Sequence, residues 1–370
     1  MSAVSDERAD ICTVGEHFLV GLRPSPILDP RDRALLNELR PAGVVLFKSN
    51  FRHDLPYAEW LALHARLLED VRQAIGRERI LIAVDHEGGR VCRTPAPLTR
   101  FSYAANWAGQ AQAVGRAMGA ELASLGINLS FAPVLDIHSN AANPVIGPRA
   151  FGSTSEQVIA AALPFMHALQ GEGVLACGKH FPGHGDTDRD SHLELPVLRQ
   201  DLAALQAREL KPFAAAIGEG IPMIMTAHLM LPAVDANEPA TLSRRINQTI
   251  LREQLGFQGV IVTDDIGMHA VSKLFEDASN AARVFAAGAD LLMVCAHWTD
   301  TDRCRGFARA LLGALADGTL DAGLLARSSA RLRALLARAR QGKVLALSEQ
   351  VLQQHRHAGA LFNAETAEVV

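Results

Sequence analysis

The chain has 370 residues, of which 49% are hydrophobic and 21% charged, and its formal net charge at neutral pH is −4. A chain of this size and composition can bury a substantial core. Its mild acidity provides no global attraction for nucleic acid or for an anionic membrane surface, so neither is expected as a partner. Short apolar runs then alternate with longer helical patterns along the sequence. The runs at 18–22, 44–47, 80–85, 128–135, 174–180, 223–228, 260–264 and 290–295 are continuously rather than alternately apolar. That pattern suits parallel strands covered on both faces. Between the first two runs, Asp29-Pro30 reads as an N-cap and first-turn proline opening a helix over 31–39. Ser153–Ser155 caps a helix reaching 169, and Pro212 starts a second helical segment after the one carrying Leu198, Leu202 and Leu205. The arginine-rich stretch 324–340 places Leu325, Leu332 and Leu336 on one face. It reads as a helix with a solvated basic side that packs outside the barrel or closes its bottom.

Eight β-then-α units predict a single (β/α)8 TIM-type barrel over residues 1–345, with a C-terminal helical tail over 346–370 packed on it or extending from it. Cys12, Cys92, Cys177, Cys295 and Cys304 are scattered, odd in number and without Cys-x-x-Cys spacing. This argues against a disulfide framework or a zinc ribbon and fits a reducing compartment. The first ten residues carry three acids and no apolar run, and no stretch is long and apolar enough to span a bilayer. A cytoplasmic, monomeric protein is expected.

In such barrels chemistry gathers where the strands end. The segment from Lys179 to His192, Lys-His-Phe-Pro-Gly-His-Gly-Asp-Thr-Asp-Arg-Asp-Ser-His, packs three histidines, three aspartates and a lysine just after the fifth run. Asp85 ends the third run, Asp136 the fourth with Arg149 in its loop, His228 the sixth, and Asp264-Asp265 the seventh. Asp264, held at the mouth of an apolar barrel, can act as nucleophile, base or metal ligand, while Asp265 suits the capping of the next helix. In Asp190-Ser191-His192 a carboxylate can fix the tautomer of an imidazole that exchanges protons near neutral pH.

These residues form four ordered motifs that resemble the β-N-acetylglucosaminidase (β-hexosaminidase) branch of glycoside hydrolase family 3. Residues 179–187 followed by Asp190-Ser191-His192 are similar to its signature. Asp85-His86-Glu87-Gly88-Gly89-Arg90-Val91 is similar to an element that usually has glutamine at the second position. Residues 143–152 resemble its Gly-x-Arg-Ser-Phe loop, and Thr263-Asp264-Asp265 with Met268 its nucleophile segment. The resemblance implies that Asp264 is the nucleophile and that His192, oriented by Asp190, is the acid/base. It implies that Asp85, Arg93, Arg149, Lys179 and His180, with His228 as a further contact, hold a terminal N-acetylglucosamine. The activity implied is retaining removal of that sugar from cell-wall fragments, with a small glycan as partner and no metal or cofactor. The departures at His86, Pro148 and His269 bear on specificity rather than on the chemical groups. Three other readings remain open from the residues: a phosphorylase of the same family, a metal-dependent hydrolase using His180, His184, Asp186, Asp264 or His228, and a non-catalytic sugar-binding barrel.

Overall fold

The eight apolar runs fold as eight parallel strands: β1 (Phe18–Gly21), β2 (Gly43–Leu46), β3 (Leu81–Val84), β4 (Leu129–Ser130), β5 (Leu175–Phe181), β6 (Met223–Thr226), β7 (Val260–Thr263) and β8 (Leu292–Cys295). In this computed structural model residues 11–187 and 195–360 are described. The strands form one sheet in which each neighbours the next in sequence and β8 returns to pair with β1. A single bridge, Val262 to Leu291, joins β7 to the chain entering β8 and closes the barrel. Side chains reinforce that seam. Thr263 Oγ1 accepts from the Met293 amide at 3.0 Å, and Asp290 Oδ2 from the Ile261 amide at 2.8 Å.

Alternation along each strand separates two cores. Leu19, Val45, Leu81, Phe131, Met225 and Val262 fill the barrel interior. Val20, Val44, Ile82, Val84, Ile224 and Val294 face outward into the layer of helices. Most local signals fall where the sequence places them, although Leu198 precedes the helix that carries Leu202 and Leu205. α1 (Pro30–Leu39) starts on Asp29, whose carboxylate accepts from the Arg31 amide at 2.8 Å. α2 (Ala111–Ser124) covers the third unit, and α3 (Ser155–Gly171) is capped by the Thr154 hydroxyl, within the expected Ser-Thr-Ser stretch. The chain breaks between α4 (Leu202–Ala207) and α5 (Leu210–Gly218), which puts Pro212 in the first turn of α5, where its missing N–H costs nothing.

Two expectations need adjustment. The fourth run is a ladder of only two residues, because Pro133 has no N–H to donate; pairing resumes beyond it as the bridge from Val134 to Lys179. Of the two positions open to the arginine-rich helix α6 (Ala322–Arg338), the structure takes the floor. Leu332, Leu335, Leu336 and Ala339 join the interior cluster at the N-terminal end of the strands. Its basic face is not wholly solvated either, since Arg331 reaches the buried Asp290 at 2.7 Å. A last helix, α7 (Glu349–Ala360), packs on α2 through the buried Leu352 and a 3.0 Å contact from His355 Nδ1 to Glu121. Among the described residues no helix is long and apolar enough to cross a membrane.

Truncating a floor residue should open a cavity that the rigid barrel cannot refill. Leu332→Ala is therefore expected to lower unfolding free energy by about 2–5 kcal/mol, measured by urea denaturation. An unchanged midpoint would mean that α6 is not part of the core.

Candidate active site

At the C-terminal ends of the strands the chain leaves β3 through Asp85-His86-Glu87 and turns sharply at Gly88-Gly89. Both glycines have positive φ, 95° and 57°, and a Cβ at either would strike Trp107 or Tyr103. The turn carries Arg90 and Arg93 over the barrel mouth. His86 is 1% exposed and its pKa falls to about 4 because burial disfavours the imidazolium. As a neutral acceptor at Nδ1 it takes the Arg93 amide at 3.3 Å, so the unusual histidine at this position is a loop strut. Within the loop after β4, Asn143 Oδ1 accepts from the amides of Val145 and Ile146, which fixes the turn Gly147–Arg149 and aims Arg149 inward.

The charges meet around Glu87. Arg149 binds it with two parallel hydrogen bonds of 2.8 Å, and Lys179 Nζ lies 2.5 Å from Glu87 Oε1 and 2.6 Å from Asp85 Oδ1. Burial pushes the Glu87 carboxyl up, but the Arg149 and Lys179 cations outweigh it and hold it well below the usual carboxylate range. Lys179 is held above its ordinary value: burial works against the ammonium, while Asp85 and then Glu87 favour it more. Beside this network His180 donates Nδ1–H to Asp136 Oδ2 at 2.6 Å, which leaves Nε2 as the ring's other polar atom. Asp136 also accepts from the amides of His180 and His184, and the neighbouring His180 keeps it ionised against burial. Asp264 closes the ring from β7. Its carboxylate accepts from the Asp265 amide at 2.8 Å, and despite burial the nearby His228 and His180 hold its pKa down. Asp85, Glu87, Arg90, Arg93, Arg149, Lys179, His180, His184 and Asp264 line one cavity of about 380 Å³. Four cations face three anions there, so the cavity is nearly neutral yet dense in donors and acceptors, suited to an uncharged polyhydroxylated ligand.

The family model described as the glycosyl hydrolase family 3 N terminal domain matches residues 28–335. The chain belongs to glycoside hydrolase family 3. It is 41% identical over 278 residues to a beta-hexosaminidase of Methylococcus capsulatus, covering 73% of this chain and 80% of that protein. Among solved structures, the family 3 beta-N-acetylglucosaminidase of Paenibacillus sp. FPU-7 superposes with a TM-score of 0.84 at 33% identity, over 94% of this chain and 68% of that one. The NagZ of Neisseria gonorrhoeae in complex with N-trifluoroacetyl-D-glucosamine gives a TM-score of 0.67 at 30% identity, over 88% of this chain and 98% of that one.

The glycoside hydrolase thus gathers Asp85, Arg93, Arg149, Lys179, His180 and Asp264 at one mouth. Arg93 Nε is buried and has no hydrogen-bond partner among the described residues, so this cation faces the cavity with capacity to spare. His228 is placed differently from a substrate contact. It lies behind the Thr263-Asp264-Asp265 segment, 1% exposed, with Nε2 donating to the Asp265 carbonyl at 3.0 Å and Nδ1 against the Thr241 hydroxyl at 2.6 Å. Asp265 is not a helix cap. Its Oδ1 accepts from the amides of Gly267 and Cys295, tying the turn after β7 to β8, and burial raises its pKa to about 7. Asp190 and His192 lie outside the described residues. The loop leading to them is anchored: Asn143 Nδ2 donates to the carbonyls of His184 and Thr187, and Asp186 pairs with Arg208 at 2.8 Å. No three His, Cys, Asp or Glu side chains among the described residues come together as a metal site, and His180, Asp186 and His228 are each engaged by protein groups.

The sequence reading gave Glu87 no role, and the structure makes it the common counterion of two buried cations. Removing its charge by Glu87→Gln should cost about 3–5 kcal/mol at pH 7, measured by urea unfolding, because Lys179 and Arg149 lose their partner. Its folded pKa lies below the ordinary 4.5, so this contribution is present above that pH and is lost as pH falls through and below it. The gap between wild type and variant should therefore narrow on acidification from pH 4.5; a gap independent of pH would count against the ion pairs.

Proposed function

We propose that this glycoside hydrolase is a retaining exo-β-N-acetylglucosaminidase that releases terminal β-linked N-acetylglucosamine through a covalent glycosyl–aspartate. The observation that carries the reading is Asp264: an ionised carboxylate on the rim of a nearly neutral, hydrogen-bond-rich cavity, steadied by one backbone N–H and two histidines. In this mechanism Asp85, Lys179, Arg149, His180 and Arg93 bind the hydroxyls and the acetamido group of the sugar and present its anomeric carbon to Asp264. The Asp264 carboxylate attacks as the bond to the leaving oxygen breaks, and a proton delivered to that oxygen completes the step.

The donor in the proposal is His192, oriented by Asp190. Support comes from the state of the other acids near Asp264. Asp85 and Glu87 are salt-bridged to Lys179 and Arg149, and Asp265 turns an oxygen to the β8 backbone. The Asp-Ser-His triplet follows the anchored stretch that ends at Thr187, after Asp188 and Arg189. A nearby anion raises an imidazole toward the working pH, so His192 can protonate the leaving group and then deprotonate the incoming water. The likeness to beta-hexosaminidases and to NagZ supports N-acetylglucosamine as the sugar, and the resemblance of the motifs supports cell-wall fragments as its source. Cys92, Cys177, Cys295 and Cys304 stand outside any disulfide, in keeping with action in the cytoplasm.

Asp264→Ala should abolish nearly all turnover of an aryl N-acetyl-β-glucosaminide; activity retained above about 1% would reject the nucleophile. His192→Ala should lose far less on an activated aryl leaving group than on a disaccharide, and equal losses would remove it as proton donor. Proton NMR of the first product should show the β-anomer, and trapping with a 5-fluoro sugar followed by peptide mapping should label Asp264. Rates compared with and without phosphate separate hydrolysis from phosphorolysis.

A further inference from the structure

The charged cavity does not end at Asp264. It shares Asp85, Arg93 and Asp264 with a second recess of about 820 Å³ over the ends of β1, β2 and β8, whose walls include Phe47, Met268, Met293, His297 and Trp298. That recess in turn shares Pro24, His297 and Trp298 with a third of about 440 Å³, bounded by Arg23, Asp29 and Arg31. Shared residues at each junction make the three recesses one track, running from the nucleophile outward across the β8–β1 edge. The first stage is charged, the second largely apolar and aromatic.

Trp298 stands at the outer junction. It is 41% exposed, one of three large apolar side chains that are well exposed among the described residues. The indole is braced rather than loose. The His297 ring packs edge-on against it at 4.7 Å and itself stacks on Phe47 at 5.5 Å with an interplanar angle of 14°. The turn after Asp264 packs on the base of the side chain: a Cβ at Gly267 would come within 2.8 Å of Trp298 Cβ. A glycine at 267 therefore lets the β8 loop close on the nucleophile loop and fixes the tryptophan relative to Asp264. A half-exposed indole at the junction of two recesses on this track is well suited to stacking on the apolar face of a sugar ring.

We propose that the leaving-group side of the substrate lies along this track, with Trp298 as the platform for its second sugar unit and the third recess taking the unit after it. The proposal rests on the glycosidase reading above and adds to it a substrate class: glycans with at least two units beyond the scissile bond. Trp298 is a specificity-determining residue that acts on substrate binding, outside the cavity of the cleaved sugar.

The test uses full-length wild type, Trp298→Ala and Trp298→Phe with N,N′-diacetylchitobiose and N,N′,N″-triacetylchitotriose, and with free N-acetylglucosamine as a competitive inhibitor. Wild type should show a higher kcat/KM on the triose than on the biose. Trp298→Ala should lose about tenfold in kcat/KM on the triose, from lost stacking, and the phenylalanine variant should recover most of it. The inhibition constant of N-acetylglucosamine should stay within about twofold, since it occupies only the charged cavity. Loss of N-acetylglucosamine affinity equal to the loss on the triose would place Trp298 against the cleaved sugar and overturn the proposal. So would a triose-to-biose ratio that the alanine variant leaves unchanged. Wild type inactive on every β-N-acetylglucosaminide would instead defeat the functional reading beneath it.

Discussion

The site depends on one buried carboxylate holding two buried cations. Transferring a lysine and an arginine from water into a protein interior costs several kcal/mol each unless the charge is met at close range. Glu87 meets both, with a bidentate grip on Arg149 and a contact to Lys179 that Asp85 completes. Three chain segments, after β3, after β4 and at the end of β5, are fastened by that arrangement. The cations it stabilises stand ready for hydroxyl groups before any ligand arrives. The same electrostatic logic reaches Asp136 and His180, where a buried carboxylate sets which ring nitrogen carries the proton. A polar pocket kept in shape by its own counterions loses little in reorganisation when a neutral sugar displaces water.

Asp264 belongs to a different regime. Among the described residues no cation grips it directly; it is steadied by an amide and by histidines at longer range. A carboxylate gripped in a tight salt bridge would have to break that bridge to meet a ligand, whereas Asp264 is kept ionised by an amide and by histidines. The neighbouring Asp265 shows how far environment separates two adjacent carboxyls on one strand end. Facing β8 and deprived of water, it is pushed up to about 7 while Asp264 is held low.

Much of this was legible in the sequence because it is local. Continuous apolar runs gave eight strands, Asp29-Pro30 and the Ser-Thr-Ser stretch gave helix starts, and the polar residues at strand ends marked the mouth. The parts that escaped are those decided at a distance. Glu87 lies 62 residues from Arg149, and nothing in either segment announces the other. Pro133 shortened β4 although the surrounding residues read as strand, because a ladder needs N–H groups as well as apolar side chains. His228 looked like one more polar strand end; only the fold shows that it sits behind the turn after β7, supporting the Asp265 carbonyl. The arginine-rich helix has an apolar face legible in one dimension, but whether that face meets the flank or the base of a barrel is a question of topology.

The closing seam of the barrel has a mechanical implication. β7 and the start of β8 meet in one bridge and a set of backbone hydrogen bonds, backed by Thr263, Asp265 and Asp290, so the strand that carries Asp264 also closes the cylinder. A breathing motion that parts this joint displaces Asp264 at once, while the rest of the wall keeps its register.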